Sequence, residues 1–114
     1  MRTKEIEIDG TTYLLTFSNS VLADMEEKGI KLSQVSEDGS VSILLKMLSL
    51  MINAGAEYAA LKNLGEYPTI DERHLGLVTD PVGIVELRDA MVDVMVGTTN
   101  VKAEPPKNAS TTQV

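Results

Sequence analysis

Cysteine and tryptophan are missing from the 114 residues, and aromatic residues make up only 4% of them. Without cysteine there can be no disulfide staple, no thiolate nucleophile and no Cys-based zinc site. With so few rings, an apolar interior has to be built from Leu, Ile, Val, Met and Ala, which favours packed helices over an aromatic-rich sheet sandwich. Basic residues are scarce too. Ten Lys and Arg stand against 17 Asp and Glu, a formal net charge of -7. Phosphate binding needs a basic face to release counterions, so this balance argues against nucleic acid as the main partner, and equally against an anionic membrane surface. Histidine occurs once, at His74. A set of nucleophile, base and oxyanion donors cannot be assembled from what is left, so no catalytic residue and no cofactor site is expected.

Long uninterrupted apolar runs are also lacking. The longest such stretch, Val41 to Ile52, is broken by Ser42, Lys46 and Ser49, whereas a membrane span needs about 20 apolar residues. The N-terminus has no apolar segment of the secretory kind. The expectation is a soluble protein that stays in the cytoplasm where it is made. A hydrophobic fraction of 43% predicts a packed core over most of the length. The chain has room for one domain, residues 1–98, followed by a flexible tail, 99–114, in which periodicity disappears.

What is present predicts an α+β fold: a two-stranded N-terminal β-hairpin packed on a helical body of four to five helices. Asp9-Gly10 is the dipeptide best suited to a two-residue hairpin turn. It pairs Ile8 with Thr11 and Ile6 with Tyr13, so that Ile6, Ile8, Tyr13, Leu15 and Phe17 share one apolar face. Ser18 is the expected N-cap of a first helix, stapled by Phe17 and Leu22 and ended by Gly29. Residues 30–39 read as a connector. The central core helix follows Ser40, with Ser42, Lys46, Ser49 and Asn53 forming a thin polar stripe, and is expected to end near Ala54-Gly55. A short helix from Ala56 to Leu64, closed by Gly65, comes next. Thr69-Ile70-Asp71-Glu72 has a capping-box pattern for a helical turn through Val78. Asp80-Pro81 opens the last long helix, apolar at Ile84, Leu87, Met91, Val94 and Met95 and ended by Gly97.

Each polar candidate has an ordinary reading. His74 reads as an exposed helix residue, and Asp89 with Asp93, one turn apart, as a solvated face rather than a metal site. Methionine is more informative. Met47, Met51, Met91 and Met95 lie on apolar faces, and such faces can re-pack around varied partners; core filling is the plainer reading of the same residues. These four are the candidate protein-binding residues. If the hairpin and last helix cannot cover the central helix, the remaining surface becomes a client interface or one for self-association.

The segment Ile8-Asp9-Gly10-Thr11-Thr12-Tyr13-Leu14-Leu15-Thr16-Phe17, a helix closing on Met25-Glu26-Glu27-Lys28-Gly29, and an apolar helix reaching Asn53-Ala54-Gly55 together resemble the small tail assembly chaperones of siphophages, especially those of Gram-positive hosts. In order and size the resemblance covers residues 5–100; the short helix at Thr69 to Val78 departs from it. It implies a non-enzymatic protein of the bacterial host cytoplasm that binds the tape measure protein and keeps it soluble while the tail is built. A long helical client with exposed apolar stripes aggregates unless an apolar surface covers it. The resemblance also implies a second, longer product made by a programmed frameshift. Pro106-Lys107-Asn108 can be encoded as CCA AAA AAC, a slippery heptamer placed beyond the folded domain, whereas a slip at Lys62-Asn63 would discard the last helix. Two rival readings are a structural tail or connector subunit, which would persist in virions, and a small ligand-binding enzyme, which would need a polar pocket.

Overall fold

A computed structural model describes residues 3–36 and 40–103. Strands β1 (Thr3–Ile8) and β2 (Thr11–Thr16) form the antiparallel hairpin, and helices α1 (Asn19–Lys28), α2 (Leu32–Ser36), α3 (Val41–Lys62), α4 (Glu72–Val78) and α5 (Gly83–Ala103) follow. Asp9 (φ 52°) and Gly10 (φ 82°) both take the left-handed region that a type I′ turn requires. The register is the expected one, with Ile8 opposite Thr11 and Ile6 opposite Tyr13. Ile6, Ile8, Tyr13, Leu15 and Phe17 are all buried in one hydrophobic cluster that runs through α1, α3 and α5.

The other face of β2 is also buried, at Leu14 and Thr16. In a two-residue hairpin the closing pair is hydrogen-bonded and pairs alternate outward from it, which directs the Leu14 carbonyl away from β1. It points at α3: a Cβ placed on Gly55 would lie 1.9 Å from the Leu14 oxygen. Gly55 is therefore not a helix terminator but the point where helix and strand backbones meet. Correspondingly, α3 does not end at Ala54-Gly55, and no separate helix begins at Ala56. It continues as one rod of 22 residues, since Ala56, Ala59, Ala60 and Leu61 are strong helix formers. The stop is Asn63, left-handed at φ 59°, with Leu64 N–H donating to the Ala59 carbonyl at 2.8 Å. Continuity gives α3 a length and composition that would suffice to cross a membrane. Here Leu44, Met47, Leu48, Met51, Ile52 and Ala59 are buried within the fold.

Ser18 caps α1 as expected, accepting from Val21 N–H, and Gly29 ends it in the left-handed region. Ile30 N–H reaches the Met25 carbonyl at 2.9 Å and Gly29 N–H the Glu26 carbonyl at 3.2 Å, a Schellman motif whose apolar member, Ile30, is buried. The connector carries a short helix that polarity had hidden. Gln34 accepts from Lys31 N–H, and Val35 has no exposed surface. Asp71, not Thr69, caps α4. Asp80 accepts from Gly83 N–H at 2.7 Å, so it caps α5 as expected. Gly97 does not end α5, which runs on to Ala103; Gly97 is buried within the helix. Residues 99–103 are helical, as the end of α5, and Lys107-Asn108 lies outside the described residues.

Thr16 has no exposed surface, and its hydroxyl has no hydrogen-bond partner among the described residues. An unpaired buried hydroxyl carries its desolvation cost uncompensated, and valine keeps the shape without it. Thr16→Val is therefore expected to stabilise the fold by about 1 kcal/mol, measured as an increase in the urea midpoint at unchanged slope.

Candidate functional site

Met47, Met51, Met91 and Met95, the expected protein-binding residues, are all interior: three have no exposed surface and Met95 is 7% exposed. They fill the core between α3 and α5. All four belong to the one buried hydrophobic cluster of the described chain.

The polar stripe of α3 is less solvated than its composition predicts. Ser42 is exposed, but Ser49 and Asn53 are half-buried and hold a main chain. Asn53 Oδ1 accepts from Ile70 N–H at 3.1 Å, and Ser49 Oγ donates to the Ile70 carbonyl at 3.1 Å. Their spacing of four residues places the two polar groups one turn apart, so together they satisfy both backbone groups of a single residue. This clamp, with Leu75 fully buried, seats α4 on α3.

His74 is exposed, as expected, yet it is not isolated. Its Nδ1 lies 2.8 Å from both carboxylate oxygens of Asp71, and its backbone N–H donates to the same group. The backbone hydrogen bond first, and the ring contact second, hold the Asp71 carboxyl below its usual range. Folded Asp71 thus binds its proton less readily than unfolded Asp71. The cap's contribution is complete above the ordinary carboxylate range and is lost as pH falls through and below it. Hydrogen exchange at the His74 amide is expected to lose protection on acidification, and Asp71→Asn to remove that dependence. The Tyr67 hydroxyl donates to Glu5, which pushes the phenol pKa up from its ordinary value.

Asp89 and Asp93 do not converge. Asp93 pairs with Lys4 at 3.2 Å, while Asp89 lies 3.5 Å from Arg88. Among the described residues no group of three or more His, Asp or Glu side chains is placed to hold a metal ion.

Large apolar side chains also stand at the surface, among them Leu61 and Leu64 at the end of α3. Leu77, Val78, Val82 and Val85 are exposed at the corner between α4 and α5, Val82 at 74% and Leu77 at 69%. Beside this corner a cleft of about 190 Å³ opens between the hairpin turn and the start of α5. Ile8, Val78 and Leu87 supply its apolar lining, and Glu7, Asp9, Asp80 and Glu86 its carboxylates; no Lys or Arg lines it. A larger and more open depression of about 680 Å³ lies over α4, where Leu45 and Leu77 meet Glu72, Arg73 and His74. The sequence reading passed over the corner because its residues flank strong capping signals. The available signal was that Val82 and Val85 fall off the stripe formed by Ile84, Leu87, Met91, Val94 and Met95. No protein-family model matches the chain, and no curated protein or solved structure matches it either.

Proposed function

We propose that this chain is a tail assembly chaperone of a long-tailed bacteriophage or prophage, acting in the bacterial host cytoplasm by binding the tape measure protein and keeping it soluble. The observation that carries the reading is the order of its parts. An Asp-Gly hairpin, a helix closing on Glu27-Lys28-Gly29 and an apolar helix that contains Asn53-Ala54-Gly55 follow one another along the chain, and it is this order that resembles the small tail assembly chaperones, although the resemblance has the apolar helix only reaching Asn53-Ala54-Gly55. Support of a physical kind comes from the α4–α5 corner. Large apolar side chains held open to water are costly to leave uncovered, and a group of them near a cleft that mixes Ile8, Val78 and Leu87 with carboxylates suits transient burial against another protein. A longer product made by frameshifting near Lys107 belongs to the same proposal.

Co-expression with the long helical tape measure protein encoded alongside it is expected to raise the soluble yield of that client severalfold. Unchanged client solubility, with this chain folded, would overturn the reading. Purified virions distinguish the structural alternative: a chaperone is absent from them, whereas a tail or connector subunit is present in fixed stoichiometry.

A further inference from the structure

The exposed corner has a chemistry of its own. Val78 ends α4, Val82 lies in the turn, and Val85 sits one turn further on, bonded to the Val82 carbonyl through its N–H at 3.2 Å. Val78 lines the cleft whose rim carries Glu7, Asp9, Asp80 and Glu86, and Val82 and Val85 are next in sequence to its lining residues Gly83 and Glu86; the four carboxylates stand on exposed residues. Glu7 comes from the end of β1 and Asp9 from the hairpin turn, while Asp80 precedes α5 and Glu86 lies in its first turn, so negative charge borders the cleft from both sides. A second copy of this chain is a poor occupant, since an isologous contact would bring the same acidic rims together, and the chain as a whole is at -7.

We propose that this corner is the client-docking surface, and that its occupant is an amphipathic helix of a partner protein carrying Lys or Arg beside its apolar stripe. The apolar stripe covers Val78, Val82 and Val85. The stem of one basic residue lies along Ile8 and Leu87, which leaves its cationic head among the carboxylates. Identifying that partner as the tape measure protein rests on the chaperone reading; the chemistry of the surface does not.

The experiment uses the full chain and two synthetic amphipathic helical peptides of identical apolar stripe, one flanked by Lys and one by Glu, followed by fluorescence anisotropy. The Lys peptide is expected to bind at least about tenfold more tightly than the Glu peptide, and to weaken about tenfold on raising the salt or on introducing Glu86→Lys. The pair Val82→Asp with Val85→Asp, both at exposed positions, should abolish binding while leaving the unfolding midpoint unchanged. Glu7→Lys provides an independent variant on the hairpin side of the cleft and should weaken the Lys peptide in the same way. Equal affinity for the two peptides, binding of neither, or indifference to these variants overturns the proposal. A dimer that the Val82→Asp and Val85→Asp pair dissociates also overturns it, by showing that a second copy occupies the corner. Co-expression with the tape measure protein separates the two readings. If the unaltered chain solubilises that client and the double variant does so equally well, the docking surface is wrong and the chaperone reading stands. If the unaltered chain binds the Lys peptide but leaves the client insoluble, the docking chemistry stands and the chaperone reading falls.

Discussion

Replacing Gly55 with alanine is expected to destabilise the protein by about 3 kcal/mol or more, although the same change in an ordinary helix interior stabilises it by about 1 kcal/mol. The sign is what makes the measurement decisive. The added methyl would sit 1.9 Å from the Leu14 carbonyl oxygen and 2.6 Å from its carbon, and both are backbone atoms that cannot rotate away. Either α3 moves off β2 or the strand distorts, and each loosens the cluster around Leu15, Met51 and Ile52. Urea unfolding of Gly55→Ala should show a lower midpoint. Ala60→Gly, at an exposed position on the same helix, supplies the comparison and should cost about 1 kcal/mol. A Gly55→Ala protein as stable as the parent would mean that strand and helix do not meet at this point.

Truncation of Leu48 is the second large effect. Leu48 has no exposed surface and lies in the middle of the main cluster on α3. Removing its branched end deletes apolar contact and leaves a cavity that neighbouring Leu and Met side chains refill only in part. Leu48→Ala should therefore cost about 2–5 kcal/mol, against a total stability that for a domain of this size is about 5–15 kcal/mol. Leu61→Ala is the internal control. Its side chain is 80% exposed on the same helix, and its substitution should fall within about 0.5 kcal/mol of the parent. A small loss at Leu48 would place the core elsewhere.

Much of the architecture was legible because it is written in local chemistry. Asp9-Gly10 determines a turn whatever surrounds it, and that turn determines the register, hence the buried face from Ile6 to Phe17. Ser18, Gly29, Asp80 and the stripe of α5 act the same way. The errors share a different cause. Gly55 and Gly97 look like stops because glycine weakens helices, but at Gly55 the missing Cβ is required by a strand 41 positions earlier in the chain, and no local pattern reports that distance. Val35 was hidden because its polar neighbours, in a helix of five residues, leave no room for a periodic pattern. For the candidate site, apolarity was legible and placement was not. Methionine content marked Met47, Met51, Met91 and Met95, which the packing of α5 against α3 takes into the interior. The exposed set, Leu77, Val78, Val82 and Val85, stands at element boundaries where capping signals dominate.

The meeting of Gly55 with the Leu14 carbonyl also bears on aggregation. A two-stranded hairpin has two open edges, each a template on which another extended chain can add itself as a strand. On the β2 side α3 lies against that edge at Leu14. On the β1 side the exposed residues are Lys4, Glu5 and Glu7, with Lys4 held by Asp93 and Glu5 by Tyr67, so an incoming strand would have to displace charged side chains from their partners. Both routes to strand addition are thereby obstructed. Growth of a sheet from this hairpin would require α3 to leave β2 or the charged side chains of β1 to leave their partners, so the ribbon is a poor seed for β-rich deposits.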